Sequence, residues 1–515
     1  MGKYALGIDF GTQSVRIIVF DDKGNTIVKY KEPYNHPYFS SQKGYAEQWP
    51  SYYLEKLYKC TNKLASEHPE LINNLLGGSI SCFRDSCVVL DKDYKLLRPS
   101  ILWLDQRMAK CENKLPFYID IFLHLSTMYE TVDLNRKKTP ANYFQEDELD
   151  MWKNVRHYWN ISTYFNYILT GNPVDSPANY AGHYPITMKK GKWNNKFNFR
   201  NKIFNIPLEY LPKLIKQGEL IGTITKEISK LSGLPEGFKI YTGAGDKLCE
   251  TLGVGGFDNN VASLSYGTSC TVEILTKKYH DSEGFLPAYI SPVNGLFNME
   301  VQIYRGYWML EWFAKNFASE ELTAASIANK AVEELLNKKM LEIPPGSDGL
   351  ILQPYWGPGL KRPLAKGVIL GFSDYHNKYH VYRAIIEGLA FALKEGLLKM
   401  EKRRHKGKVK KIRISGGGSA SSAICQITAD IFNLPVSRIQ TYETASLGAA
   451  INVFVCSKYY SSYKQACENM VHQKDEFIPN KENAKLYSQI YKDVYKNIYP
   501  RVKPLNYSIR KILKK

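Results

Sequence analysis

Tyr4-Ala5-Leu6-Gly7-Ile8-Asp9-Phe10-Gly11-Thr12-Gln13-Ser14-Val15-Arg16-Ile17-Ile18-Val19-Phe20 alternates apolar and polar residues on either side of Gly11-Thr12-Gln13-Ser14. A second turn follows at Asp21-Asp22-Lys23-Gly24-Asn25, so residues 4–30 read as three short strands joined by tight turns. Far along the chain the texture returns. Val261-Ala262-Ser263-Leu264-Ser265 runs into Tyr266-Gly267-Thr268-Ser269 and on to Leu275, again strand, Gly-Thr turn, strand. An echo at this separation is no short-period solenoid. It predicts a duplicated domain with a boundary near residues 257–260, hence domains of 1–256 and 257–515. Chance similarity of one Gly-Thr turn is the competing reading.

The 515 residues are too many for one hydrophobic core. Outside the meanders, helical spacing occurs at residues 54–66 and across most of 110–171. Residues 78–90 read as a strand pair leading to 101–104. A loop-rich stretch after Pro173 ends at the strand Lys239-Ile240-Tyr241, which feeds Thr242-Gly243-Ala244-Gly245-Asp246 and a helix over 248–252. The second half predicts helices at 307–317, 323–337, 379–400, 421–432 and 441–457. A strand at 411–415 turns at Gly416-Gly417-Gly418.

Hydrophobic content of 44% excludes disorder as the main state. The net charge of +19 invites a nucleic-acid partner, but Lys and Arg are scattered. The dense runs are residues 399–411, read as loop-like, and 510–515; neither forms a recognisable nucleic-acid module. Compositional bias is the preferred account, with a positive field that favours encounter with anionic ligands. Nine widely spaced cysteines without a CxxC pair give neither a disulfide framework nor a zinc site. No apolar run reaches the length of a membrane span. The expectation is a soluble cytoplasmic protein of a reducing compartment, without nucleic-acid or membrane partners.

Several turns carry residues suited to phosphates and hydroxyls. Asp9, at a strand end, precedes a turn whose backbone N–H groups and hydroxyls can face phosphate oxygens. The residues concerned are Gly11, Thr12, Gln13 and Ser14, and Arg16 can add positive charge. Asp9 can hold Mg²⁺ through water, because that ion dehydrates reluctantly. An ordinary hairpin is the alternative. Gly267-Thr268 offers a second such turn, and Gly416-Gly417-Gly418-Ser419 suits a nucleotide laid against backbone. Gly243-Ala244-Gly245-Asp246 ends a buried strand with an acid whose flanking glycines open space for a substrate. A helix N-cap role for Asp246 is compatible with its acting as a base. Arg84-Asp85, read as lying on the strand, suits vicinal hydroxyls or forms a structural ion pair.

In this order the motifs resemble those of the FGGY carbohydrate kinases, a branch of the actin-like (sugar kinase/Hsp70/actin) ATPase superfamily, over nearly the whole length. Gly7-Ile8-Asp9-Phe10-Gly11-Thr12 is similar to the first phosphate motif, and Gly44-Tyr45-Ala46-Glu47-Gln48-Trp49-Pro50 to the segment after the first meander. Leu102-Trp103-Leu104-Asp105-Gln106-Arg107 is similar to the W-x-D-x-R element near the sugar. Gly243–Asp246 resembles the catalytic-base motif, and Gly267-Thr268-Ser269 the second phosphate motif. Pro354-Tyr355-Trp356-Gly357 and Arg383-Ala384-Ile385-Ile386-Glu387-Gly388 are similar to second-domain elements. Gly416-Gly417-Gly418-Ser419 and Glu443-Thr444-Ala445-Ser446-Leu447-Gly448-Ala449-Ala450 are similar to the adenosine motif and C-terminal signature.

The resemblance implies an α/β fold of two ribonuclease-H-like (actin-like ATPase) domains around an interdomain cleft. The N-terminal one holds the sugar and the C-terminal one the nucleotide. It implies an ATP- and Mg²⁺-dependent kinase with Asp246 as base, Asp9 at the metal, Thr12 and Thr268 near the β- and γ-phosphates, and Gly417-Gly418 near the adenosine. Gly306 falls near the adenine. Arg84, Asp85, Trp103 and Asp105 join Asp246 at a small sugar, ketose or polyol, and a homodimer is left open.

Three departures stand out. Cys82-Phe83-Arg84-Asp85 replaces the Gln-Met-His-Gly of xylulokinases and is nearer the Arg-Glu pair of glycerol kinases. The Trp-Asp-Arg segment is closer to pentulose kinases. Lys247 follows the base where Asn or Gln is usual, and the preferred reading turns it to solvent over contact with an acidic sugar. The rival functions are an actin- or Hsp70-like ATPase switch without a sugar, and a sugar sensor that has lost catalysis.

Overall fold

The computed structural model describes residues 2–513 other than 113–114, 127, 258, 285, 358, 360–361, 363 and 406. Asp258, inside the expected boundary, and Lys406 and Lys514-Lys515 of the basic runs therefore lie outside the described residues.

The N-terminal half is built on a six-stranded sheet ordered Leu220–Thr223, Lys239–Gly245, Leu75–Cys82, Tyr4–Phe10, Ser14–Asp21, Thr26–Pro33. The last three form the antiparallel meander that the alternation predicts. Leu75–Cys82 then runs parallel to both Tyr4–Phe10 and Lys239–Gly245. Burial explains the sequence texture. Tyr4–Phe10 is covered on both faces and is apolar almost throughout, whereas the edge strand Thr26–Pro33 alternates exposed and half-buried residues.

The C-terminal half repeats the plan. Its seven-stranded sheet runs Tyr289–Ile290, Phe297–Ile303, Cys270–Thr276, Val261–Tyr266, Lys411–Ser415, Val436–Ile439, Gln473–Phe477. Val261–Tyr266, Cys270–Thr276 and Phe297–Ile303 form the second meander, and Lys411–Ser415 joins it in parallel. Two α/β ribonuclease-H-like domains with mixed sheets thus flank a cleft.

The halves meet where helix Asp246–Gly253 crosses helix Thr444–Cys456. A Cβ on Gly253 would sit 1.8 Å from the Thr444 carbonyl oxygen, and one on Gly448 2.0 Å from that of Cys249. Backbone packs on backbone here, and any side chain at either glycine forces the helices apart, at about 1–3 kcal/mol. One buried cluster, including Ala5, Ile18, Leu252, Leu447, Ile451 and Phe454, spans both halves at this crossing.

Three local expectations are corrected. Residues 78–90 are not a pair in one sheet. The chain leaves the main sheet at Cys82, bends through Phe83–Ser86, and enters a separate four-stranded sheet as Cys87–Leu90, paired to His157–Asn160. Arg84 and Asp85 therefore sit in a bend, with Asp85 in the left-handed region at φ 58°. Residues 323–337 are two helices, Ser319–Ile327 and Val332–Met340, broken where Asn329 turns left-handed at φ 50°. Of the basic run 399–411, the part through Arg404 is the last turns of helix Lys378–Arg404 rather than a loop.

Candidate functional site

Strand Lys239–Gly245 delivers Asp246 as the first residue of a helix, at the edge of a cavity of about 160 Å³ between the two halves. Gly245, not Asp246, occupies the N-cap position. The carboxylate accepts from the Lys247 backbone N–H at 2.9 Å and faces Arg84 Nε at 3.8 Å. Burial raises its pKa, Lys247 and Arg84 oppose this, and the net shift is upward. A carboxylate held so is a stronger proton acceptor than an exposed one.

The glycines beside it do not clear space for a ligand. A Cβ on Gly245 would lie 2.4 Å from Arg84 Cδ, and one on Gly243 1.8 Å from the Ile80 carbonyl oxygen. They admit the Arg84 side chain and the neighbouring strand. Arg84 and Asp85 are not an ion pair with each other. Arg84 Nη2 donates to Glu300 at 2.9 Å, from strand Phe297–Ile303 of the other half, and its guanidinium lies 4.8 Å from the Tyr289 ring centroid. Its Nη1 has no hydrogen-bond partner among the described residues. Asp85 instead accepts from the backbone N–H of His183 at 3.0 Å and lies 2.8 Å from its Nδ1. Burial alone would raise Asp85, but His183 outweighs it and holds the carboxyl below the usual range.

Trp103 lines the cavity, as does Asp105. Asp105, however, spends its oxygens on protein: Oδ1 accepts from Arg107 N at 2.8 Å and Nε at 2.9 Å, Oδ2 from Ala46 N at 2.6 Å and Arg107 Nη2 at 2.8 Å. It orients Arg107 instead of presenting free acceptors. Lys247 corrects the preferred reading most clearly. It is 8% exposed, and its Nζ donates to Glu250 at 2.8 Å and Ser265 Oγ at 3.2 Å. Burial would lower its pKa, but Glu250 and Asp246 hold the ammonium charged. Only 3.6 Å would separate Nζ from a Cβ on Gly267, so this cation sits beside the second Gly-Thr turn.

Asp9 is buried on strand Tyr4–Phe10. Its Oδ1 accepts from Ser81 Oγ at 3.0 Å, and Oδ2 lies 3.4 Å from Arg16 Nη1. Burial pushes its pKa up to about 7, against Arg16 and with the help of the Asp246 charge. A buried carboxylate whose charge Arg16 only partly offsets fits a divalent cation. Among the described residues no group of three or more His, Cys, Asp or Glu side chains could hold a metal ion. The ion would rely on nucleotide phosphates and water for most of its ligands, which suits Mg²⁺. Arg16 is committed to Asp9 and, at 3.1 Å, to Glu443 of the other half.

In the first turn Gly11 N–H donates to the Ser14 carbonyl at 3.1 Å; Thr12 is half-buried and Gln13 exposed. Ser14 is a correction: its hydroxyl is buried and unpartnered among the described residues, so only its backbone belongs to the turn surface. In the second half, Gly416 abuts Tyr266 and Gly267, and Gly418 packs on the Tyr266 and Tyr307 side chains. A Cβ on Gly417 would meet no described atom within 4 Å, which leaves room for a ligand. Gly306 packs behind the second turn, where a Cβ would lie 2.3 Å from Cys270 N, while Thr268 is exposed.

Sequence reasoning missed Lys138, His183, Tyr289, Gln302 and Tyr304, all of which line the cavity, and Glu300. None stands in a motif with a spacing of its own. The one available signal was Gly182 before His183: at φ 70° its missing Cβ makes way for the Asp85 carboxyl.

Residues 4–253 match the N-terminal domain of the FGGY family of carbohydrate kinases and residues 262–455 its C-terminal domain. The xylulose kinase of Lactococcus lactis is 30% identical over 495 residues, covering 94% of this chain and 94% of that protein. The gluconokinase of Bacillus subtilis is 25% identical over 507 residues, covering 95% and 94%. Among solved structures, gluconate kinase from Lactobacillus acidophilus superposes with a TM-score of 0.82 at 21% identity, covering 98% of this chain and 99% of that one. Two matched domains on a duplicated sheet, with a relative collinear from end to end, leave one conclusion: this chain belongs to the FGGY family of carbohydrate kinases, ATP-dependent enzymes acting on sugars and polyols.

Proposed function

We propose that the protein transfers the γ-phosphoryl group of ATP to a terminal hydroxyl of a small sugar, ketose or polyol, with Asp246 as general base. The observation that carries this is the position of Asp246, at the edge of the cavity and one residue from Lys247, which reaches the second Gly-Thr turn. In the reaction the acceptor oxygen forms a bond to the γ-phosphorus as the bond to the ADP oxygen breaks, and the hydroxyl proton passes to Asp246. Arg84, fixed by Glu300 and stacked on Tyr289, offers Nη1 to an acceptor oxygen, and the Asp85–His183 pair flanks it. Lys247 places a permanent positive charge beside the γ-phosphate turn. Mg²⁺ near Asp9, when bound, would neutralise charge on the phosphates. Contacts from both halves to Arg84 favour a closed cleft, which excludes water as a competing acceptor.

The relatives are named for xylulose and gluconate, a ketose and an aldonate, so the acceptor class is tested directly. ADP release in the presence of Mg-ATP is measured across pentuloses, hexuloses, polyols, glycerol and aldonates. At least one acceptor should stimulate turnover, and Asp246→Asn should lower kcat by about 10²–10⁴-fold while ATP binding persists. Turnover unaffected by every acceptor would move the reading to an ATPase switch.

A further inference from the structure

Among the described residues four lysine and arginine side chains line the cavity, and three are matched by carboxylates. Arg84 lies against Glu300 and Asp246, Arg107 against Asp105 and Glu47, and Lys247 against Glu250. Lys138 is the fourth. It is the last residue of helix Tyr129–Lys138 and is half-buried. Among the described residues it has no carboxylate within the 4.0 Å of an ion pair and no side-chain hydrogen bond. The carboxylate whose charge acts on it, Asp85, already accepts from His183 on both oxygens. Burial accordingly lowers the Lys138 pKa, with Asp85 only partly opposing. A desolvated ammonium without a partner is unfavourable, and an anion carried in by the ligand relieves it.

The cavity itself brings the two ends of a ligand within one site. Asp246, Arg84, Asp85, His183 and Lys138 all line it, with Arg84 Nε 3.8 Å from the Asp246 carboxylate. A sugar that fills this cavity can meet the base and, among the described residues, the one cation there without a carboxylate partner.

Resting on the kinase reading above, we infer that the acceptor is a carboxylated sugar, an aldonate or uronate, whose carboxylate is bound by Lys138 while its terminal hydroxyl meets Asp246. Arg84 and Asp85–His183 serve the hydroxyls between. Lys247, though cationic, is already neutralised by Glu250 and is turned to the phosphate side.

The test pairs each aldonate with the alditol of the same carbon skeleton, which differs only in bearing CH₂OH in place of the carboxylate. The unaltered protein should prefer an aldonate to its alditol in kcat/KM. Lys138→Met should cut that preference about tenfold or more, through KM for the aldonate, because a charge-assisted contact is lost. Lys138→Arg should retain most of the preference, and the melting temperatures should agree, which separates binding from folding. An unchanged ratio in Lys138→Met would overturn the inference, as would phosphorylation of neutral acceptors with none of aldonates or uronates; both leave the kinase reading standing. No transfer to either class would sink the kinase reading and this inference with it.

Discussion

Asp9 and Ser265 occupy matching positions in the two halves. Each lies on the first strand of its meander, two residues before the Gly-Thr turn, and each is paired with a serine on the parallel neighbour, Ser81 or Ser415. Asp9 brings a buried carboxylate to the first turn. Ser265 brings a hydroxyl, and that hydroxyl accepts from Lys247 Nζ. Counting on from the turns, Ile17 is buried against Tyr30 in the first half where Glu273 faces Glu300 in the second. The same backbone therefore presents an acidic turn suited to a cation and a cationic turn suited to phosphate. Duplication supplies the geometry, and a few side chains decide what each copy attracts.

Removing the acidic side of this contrast should have the largest effect. Asp9→Asn should lower kcat/KM by about 100-fold or more, by analogy with loss of a charge that stabilises the transition state, and raise the Mg²⁺ concentration needed for half-maximal rate. A magnesium titration that superposes on that of the unaltered protein would end the assignment. Removing the cationic side is milder. Lys247→Met should raise KM for ATP about tenfold, with a smaller change in KM for the acceptor; the reverse pattern would place this lysine in the sugar site.

The smallest effect concerns stability. Burial, with Glu300 opposite, lifts the Glu273 pKa well above its ordinary value of 4.5. At pH values below the ordinary one the group is protonated whether the chain is folded or not, and it costs nothing. As pH rises toward the folded value, folding must retain a proton that the unfolded chain gives up, and stability falls. Glu273→Gln keeps an acceptor for Thr251 and Asn298, which both donate to Oε2 at 2.7 Å. It should raise the melting temperature by about 2–4 °C at pH 8 and hardly at all near pH 5. A gain of equal size at both pH values would show that proton linkage is not its source.

Much of the fold was legible. Alternation about Gly11 predicted the first meander, and that about Gly267 the first two strands of the second but not Phe297–Ile303, because strand periodicity and turn glycines are local properties. The helix after Asp246 and the one after Glu443 were legible too. What spacing concealed were the breaks: Asp85 and Asn329 take left-handed conformations within stretches that read as continuous. At the site, Asp246, Arg84, Asp85 and Trp103 do come together around the cavity, but the expected partners do not. Arg84 finds Glu300, 216 residues away in sequence, and Asp85 finds His183, 98 away. Contacts at such separations leave no periodic trace.

The sequence by itself determined the duplicated strand-turn-strand plan, the order of its glycine turns, and the presence of an acid after Gly243-Ala244-Gly245. All of these follow from local backbone preference and the alternation of apolar side chains. Only the tertiary structure decided which charges were neutralised. Lys247 and Lys138 are the same residue type on one cavity, yet folding brings Glu250 and Ser265 to the first and no carboxylate within ion-pair reach, among the described residues, to the second. Burial and pairing are properties of the packed chain, and they set the electrostatics of the cleft.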